Sequence, residues 1–398
     1  MEVKSMKIIL DLHGVANKRA GKLNFAYNIT KELLKDKENE YEVFTDKSLS
    51  RFISYPKNFN EKVFPKNFHY KVLKELKKNE ADFYFTPTSF IVPCFFPREI
   101  KTKLIITVHD LVAFLFPEGH KKKSVILEKL LLPRALKKST GVVVVSENTK
   151  KDLLNLIKKK NIMKKGRGLE IKIISNAADK RFFEKEKKEE FLRVQEKYQL
   201  PKNFILSVGT LEPRKNMINL IKAFFLLPEK IKKDFSLVLV GAKGWKYEKI
   251  FKEAQVDGGW GLRDERWKSA TLSQKICHSS PVHFLKYVSD EDLPTIYRLA
   301  RVFAFPSFYE GFGIPILESF ASLTPVLSSN TSSMPEVAGE AACFISPSDL
   351  QGISQSLEKI ISDKVYADSL VKKGEIQVEK FSWERSARNL ISFFEELR

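Results

Sequence analysis

Two glutamates, Glu310 and Glu318, stand either side of a Gly-Phe-Gly-Ile-Pro turn in the stretch YEGFGIPILES at 309–319. Gly311 and Gly313 let backbone N–H groups approach a ligand with no Cβ in the way. Phe312 and Ile314 complete the turn, and Pro315 suits the first turn of a helix, where its missing N–H costs nothing. A helix start offers unsatisfied N–H donors and partial positive charge, which together seat a phosphate. Carboxylates on both sides of such a seat suit sugar hydroxyls, which donate readily to ionised oxygens. Upstream, Glu212-Pro213-Arg214-Lys215-Asn216 sits between an apolar run and a helical stretch. Arg214 can grip phosphate bidentately and Lys215 adds a mobile charge, so the two could neutralise a diphosphate without a metal ion.

Other motifs carry less. His109-Asp110 ends the run LIITVHD, and reads either as an active-site histidine or as a core histidine bonded to backbone. Gly14 and Gly21 sit in a loop after the first apolar run and resemble a loose phosphate loop. Asp290-Glu291-Asp292 reads as the first turn of a helix capped by Ser289 and running to Ala300, not as a metal site. No H-E-x-x-H, G-x-S-x-G or P-loop lysine occurs in the sequence.

These residues need a scaffold, and short β-branched runs alternating with helical stretches provide one. Strands are expected at 7–12, 41–45, 82–87, 104–110, 141–146 and 171–175, then at 204–211, 235–242, 282–285, 302–307, 325–329 and 342–346. The pattern predicts two doubly wound α/β domains, in which ligands bind beyond the carboxyl ends of strands. The expected boundary lies in the charged stretch 183–199, giving domains 1–185 and 186–380, with 381–398 as a terminal amphipathic helix packing back on the first.

The chain of 398 residues is 43% hydrophobic and 30% charged, and its net charge is +20. Residues 1–185 hold 39 Lys+Arg against 21 Asp+Glu, whereas 186–398 hold 30 against 28. Nearly all the excess charge therefore sits in the first half, which predicts an anionic partner there: a phosphorylated acceptor or lipid headgroups, with nucleic acid disfavoured. No apolar run reaches the ~20 residues of a membrane span. The start MEVKSMKIILDLHG carries no secretory pattern, and Cys94, Cys277 and Cys343 fit no metal spacing, so a reducing cytoplasm is expected.

The stretches SVGTLEPRKNMINLIKAF, GAKGW, YVSDEDLPTIYRLARVFAFPSFYEGFGIPILESFAS and SSNTSSMPEVAGEAACFISPSD resemble glycosyltransferase family 4 over most of 204–350. TVHDL, VVVVSENTKKDL and ISNAAD extend the resemblance more thinly into the first half. It implies a retaining, metal-independent hexosyltransferase of the GT-B fold, two Rossmann-like domains facing each other across a cleft, that needs no cofactor beyond a GDP- or UDP-linked sugar donor. Glu310 would hold donor-sugar hydroxyls and Glu318 the ribose. Arg214 and Lys215 would stabilise the diphosphate, 311–314 would add backbone contacts, and His109 would touch the transferred sugar. Gly21 would contribute to the donor site. The resemblance is nearest to bacterial mannosyl- and rhamnosyltransferases of surface polysaccharide, and implies a glycan or lipid-pyrophosphate-linked acceptor at the inner membrane face. A non-catalytic polyanion-binding protein and a glucan synthase or phosphorylase-like enzyme are the rival readings. Three departures stand out: Ala20-Gly21-Lys22 in place of a glycine cluster, Ala177 after Asn176, and a long segment at 255–281.

Overall fold

The computed structural model describes residues 5–16, 21–50, 53, 55–97, 99–119, 122–162, 168–244, 246–254 and 281–398. Apart from Pro281, the long segment at 255–281 lies outside the described residues, as do Ala20 and Trp245.

The chain divides into two compact units. One holds Met1–Pro117, Lys122–Asn176 and Phe381–Arg398, and the other is mainly Ala177–Lys380. The first contains β1 (Lys7–Asp11), β2 (Glu40–Thr45), β3 (Phe59–Val63), β4 (Phe83–Thr86), β5 (Lys103–Val108), β6 (Gly141–Val144) and β7 (Glu170–Ile173). They form a sheet in the order β3-β2-β1-β4-β5-β6-β7, parallel throughout. The second unit contains β8 (Phe204–Val208), β9 (Ser236–Val240), β10 (Val282–Leu285), β11 (Val302–Phe305), β12 (Val326–Ser329) and β13 (Ala342–Ile345). Their order is β10-β9-β8-β11-β12-β13, again all parallel. Runs such as SLVLV and VFAF are buried on both faces because helices cover both sides of each sheet, and each sheet carries its own apolar core.

Strand order reverses between β1 and β4 in one sheet and between β8 and β11 in the other. At such a reversal adjacent loops leave in opposite directions and open a crevice beyond the strand ends. In the second unit the two loops flanking that crevice are 209–216 and 306–313, which carry the residues picked out above.

Three expectations differ from the structure. Strand β3, sequence FNEKV, was not expected: it is an edge strand of mixed burial with no apolar run to announce it. The units meet in sequence at Asn176 and Ala177, ahead of the charged stretch. That stretch instead folds as the helix Lys188–Lys197, which packs on the helix Leu293–Leu299. The packing also changes the account of Asp292. The helix starts at Leu293, and although Ser289 Oγ accepts from Asp292 N (3.3 Å), the Asp292 side chain is buried. It takes Lys197 Nζ at 2.5 Å, Tyr198 Oη at 2.7 Å and the Arg193 guanidinium. Burial raises its pKa, but these donors overcome that and hold the carboxyl well below its usual range. Asp292 pins two helices together.

The terminal helix Trp383–Leu397 belongs to the first unit. Ser382 caps it, Phe394 stacks on Phe83 with centroids 5.2 Å apart, and Ser386 Oγ donates to the Ser175 carbonyl at 2.7 Å. Gly141, the first residue of β6, makes room: a Cβ there would sit 2.7 Å from Leu397 Cδ1 and 2.9 Å from Phe393 Cζ.

Candidate active site

The loop after β8 is shaped by backbone packing. A Cβ on Gly241, just past β9, would lie 2.0 Å from the Gly209 carbonyl oxygen, so only glycine lets the loops after β8 and β9 run this close. The loop continues through a short turn at Pro213–Lys215 to Asn216, in the left-handed region at φ 61°. Asn216 Nδ2 donates to the carbonyls of Pro306 (2.9 Å) and Pro347 (2.6 Å), tying this loop to those after β11 and β13.

That tie brings the charged residues together. Lys215 Nζ donates to Glu310 Oε1 at 2.6 Å, and Arg214 Nη1 to Glu310 Oε2 at 2.7 Å and to the Tyr309 carbonyl at 2.6 Å. The other edge of the guanidinium is held by Glu212, through Nη2 at 2.6 Å and Nε at 3.1 Å. Lys215 Nζ also lies 5.0 Å from the centre of the Phe305 ring. Glu310 is only 7% exposed. Burial alone would raise its pKa, but the charges of Arg214 and Lys215 and their hydrogen bonds win and bring it down to about 2. Burial, with Arg214 alongside, lowers the pKa of Lys215 against the pull of Glu310. Before any ligand arrives, then, both cations are engaged by carboxylates. A guanidinium has five N–H donors and an ammonium three, so these carboxylate bonds do not use up the donors of Arg214 and Lys215.

The glycine turn follows. Gly313 has φ 111° and opens the helix Ile314–Ala321, with Pro315 in its first turn. Gly311 and Phe312 are buried and Ile314 is half-buried. The loop after β12 supports the turn from behind: Ser332 Oγ donates to the Glu310 carbonyl (2.6 Å), and Ser333 Oγ to the carbonyls of Glu310 (2.9 Å) and Phe312 (2.7 Å). Glu212 and Asn216 were named in their motif without a role, and these serines were not singled out from sequence. The Ser/Thr-rich run SSNTSS is the one trace they leave there.

Glu318 lies further along the same helix and makes a different set of interactions. Its carboxylate accepts from Tyr297 Oη at 2.9 Å, and burial pushes its pKa up to about 7 despite that bond and the charge of Arg181. The carboxylates of Glu310, ahead of the helix start, and Glu318, a turn into the helix, therefore have different partners, one firmly ionised and the other titrating near neutrality.

His109 and Gly21 belong to the first unit. His109 follows β5, its Nε2 lies 2.7 Å from the Pro87 carbonyl, and its ring meets Phe25 edge-on at 5.1 Å. A carbonyl partner makes Nε2 the protonated nitrogen, which leaves Nδ1 as the acceptor. Burial pulls its pKa down to about 4, so the ring is neutral at pH 7. Gly21, at φ 56°, starts the helix Lys22–Leu33; a substituent there would be strained by the backbone and not by neighbours. Among the described residues, no group of three or more His, Cys, Asp and Glu is placed to hold a metal ion, and no helix is long and apolar enough to cross a membrane.

A family model described as "Glycosyl transferases group 1" matches residues 188–377. O-antigen chain mannosyltransferase B of Escherichia coli is 30% identical over 308 residues, which is 77% of this chain and 73% of that protein. The serotype-specific mannosyltransferase WbdA of Escherichia coli is 35% identical over 205 residues, 51% of this chain and 23% of that longer protein. Among solved structures, Anabaena HepE in complex with UDP-glucose superposes with a TM-score of 0.72 at 16% identity, covering 98% of this chain and 100% of that one. At that identity the likeness speaks for the fold, which is GT-B. With a match of this extent to the first relative and two parallel-sheet units, the chain belongs to the group 1 glycosyltransferases.

Proposed function

We propose that the protein transfers mannose from a nucleotide-diphosphate sugar, GDP- or UDP-linked, to a glycan or lipid-pyrophosphate-linked glycan, with retention of configuration and without a metal ion. The observation that carries this is the meeting of Arg214, Lys215 and Glu310 from two loops at the β8/β11 reversal. The printed activity of the Escherichia coli relative supports mannose and a surface-polysaccharide acceptor, and the UDP-glucose held by HepE supports a nucleotide-sugar donor.

In this reading the diphosphate lies against Arg214 and Lys215 and the start of the helix Ile314–Ala321. As the bond from the anomeric carbon to the phosphate oxygen breaks, negative charge grows on the diphosphate. Two preorganised cations in a buried site stabilise that charge more than they stabilise the intact donor. The acceptor hydroxyl attacks on the face the phosphate leaves, its oxygen bonds to the anomeric carbon, and its proton passes to the departing phosphate oxygen. Glu310, ionised and fixed, accepts from hydroxyls of the sugar, Glu318 takes the ribose, and backbone groups at 311–314 line the phosphate. The neutral His109 serves the transferred sugar as a hydrogen-bonding group and Gly21 contributes to donor binding, the roles that the family resemblance gives them. The basic first unit takes the acceptor on the cytoplasmic face of a membrane.

The test is a thermal-shift screen against GDP, UDP, ADP and dTDP, followed by turnover of the matching sugar donors. A donor whose nucleotide raises the melting point should be consumed by the wild type and not by Arg214→Ala. If no nucleotide stabilises the protein and no donor is consumed, the reading fails.

A further inference from the structure

The helix Lys122–Lys138 breaks the usual rule for a surface helix. Its inward side buries Val125, Leu132, Ala135 and Leu136. Its outward side, read at spacings of three and four residues, runs Lys123, Leu127, Leu130, Arg134 and Lys137, with Lys122 and Ile126 alongside. The three apolar side chains in the middle are 58% (Ile126), 50% (Leu127) and 51% (Leu130) exposed. Cations stand at both ends of this ridge, and the outward stripe holds no carboxylate. Glu128, on the same helix, is half-buried off the stripe, and Asp110 and Lys22 are the charges that act on it. Two short helices pack against this one, and exposed apolar side chains occur at both: Leu115 and Phe116 at one, Phe95 at the other. A cavity of about 600 Å³ lined in part by Tyr70, Phe95, Lys74, Lys77 and Lys138 opens in the same unit.

Building on the lipid-linked acceptor reading, we propose that this face docks on an anionic phospholipid bilayer, with Ile126, Leu127 and Leu130 inserted at headgroup depth and the flanking lysines and Arg134 on the lipid phosphates. An apolar ridge framed by cations is the pattern that an interfacial helix needs. A second copy of the chain would fit it poorly, since a two-fold contact centred on the ridge would set Lys122 and Lys123 of each copy against Arg134 and Lys137 of the other. Attraction of net charge alone would be screened by salt. An inserted ridge holds on after screening, and this separates the proposal from simple adsorption of a basic protein.

The full chain is floated with vesicles of phosphatidylcholine alone and of phosphatidylcholine with phosphatidylglycerol, at low and high salt. Wild type should float with the anionic vesicles and keep a measurable fraction bound at high salt. The triple change Ile126→Asn, Leu127→Asn, Leu130→Asn should weaken binding more than about tenfold and abolish the salt-resistant part. The pair Lys122→Glu, Lys123→Glu should cost about tenfold at low salt and little at high salt. Because these side chains face solvent, folding is checked by an unchanged melting point. A Leu127→Trp variant gives a second reading, its emission shifting to the blue on anionic vesicles. Flotation of the triple variant equal to wild type, or no flotation of wild type, overturns the proposal, as does a size-exclusion shift showing that the ridge joins two copies in place of binding vesicles. Donor turnover without vesicles, measured in parallel, is untouched by any of these outcomes.

Discussion

Replacing Glu310 with Gln keeps the shape of the side chain and removes its charge from between Arg214 and Lys215. A carboxyl whose pKa falls from 4.5 to about 2 on folding adds about 3 kcal/mol of stability at neutral pH. Breaking a buried ion pair by removing one partner gives a similar figure, about 3–5 kcal/mol. Because the folded value is depressed, the contribution is complete above pH 4.5 and disappears as pH falls through about 2. Urea unfolding at pH 7 should therefore show Glu310→Gln less stable by about 3 kcal/mol, in the transition of the second unit, with the gap closing as the pH is lowered toward 2. The same change has an opposite effect on anion binding. With Glu310 neutralised, Arg214 and Lys215 lose a competing partner, so inorganic pyrophosphate should raise the melting point of the variant more than that of the wild type, while sugar transfer collapses. A variant within about 1 kcal/mol of wild type at pH 7, or a gap that does not narrow in acid, would refute the ion-paired site.

Three further changes follow from the same geometry. Glu318 has its pKa raised to about 7, so its ionisation costs stability that grows as pH rises from 4.5 through 7; Glu318→Gln should match or exceed wild-type stability at pH 8, and should remove a titration near neutrality from the pH profile of donor KM. Asp292→Ala leaves Arg193, Lys197 and Tyr198 without their shared acceptor and should cost about 2–4 kcal/mol in urea unfolding, with donor turnover per folded molecule retained. Gly241→Ala sets a methyl group against the Gly209 carbonyl and should cost about 3 kcal/mol, together with a weaker nucleotide-induced melting shift because loop 209–216 has to move.

The strands were legible where the chain itself is forced to be apolar. KIILD, SLVLV and VFAF sit in the middle of sheets covered on both faces, so local sequence alone marks them. Strand β3 could not be read this way, because an edge position tolerates FNEKV. The charged stretch 183–199 reads as a domain boundary because the partner of its helix, the buried Asp292, is about a hundred residues away and reads as part of a helix cap. The site shows the same division. Arg214, Lys215, Glu310 and the glycine turn stood out because an adjacent Arg-Lys pair and a glycine turn flanked by two carboxylates make sense together around a phosphorylated ligand, and the structure joins the first three directly. Glu212 reads as one more charge in a basic turn until the guanidinium is seen closing on it. Ser332 and Ser333 act on carbonyls, a task that a serine in any loop could have, so nothing in their type announces it.

The return of residues 381–398 to the first unit fixes the order in which the molecule can be finished during synthesis. The segment Ala177–Lys380 has all its own strands and can close as soon as it leaves the ribosome. Phe83 and the space over Gly141 must wait for Phe394 and Leu397, made some three hundred and two hundred and fifty residues later. The half that is translated first is thus the last to be sealed, its contacts at Phe83 and Gly141 completed only when the final helix is made.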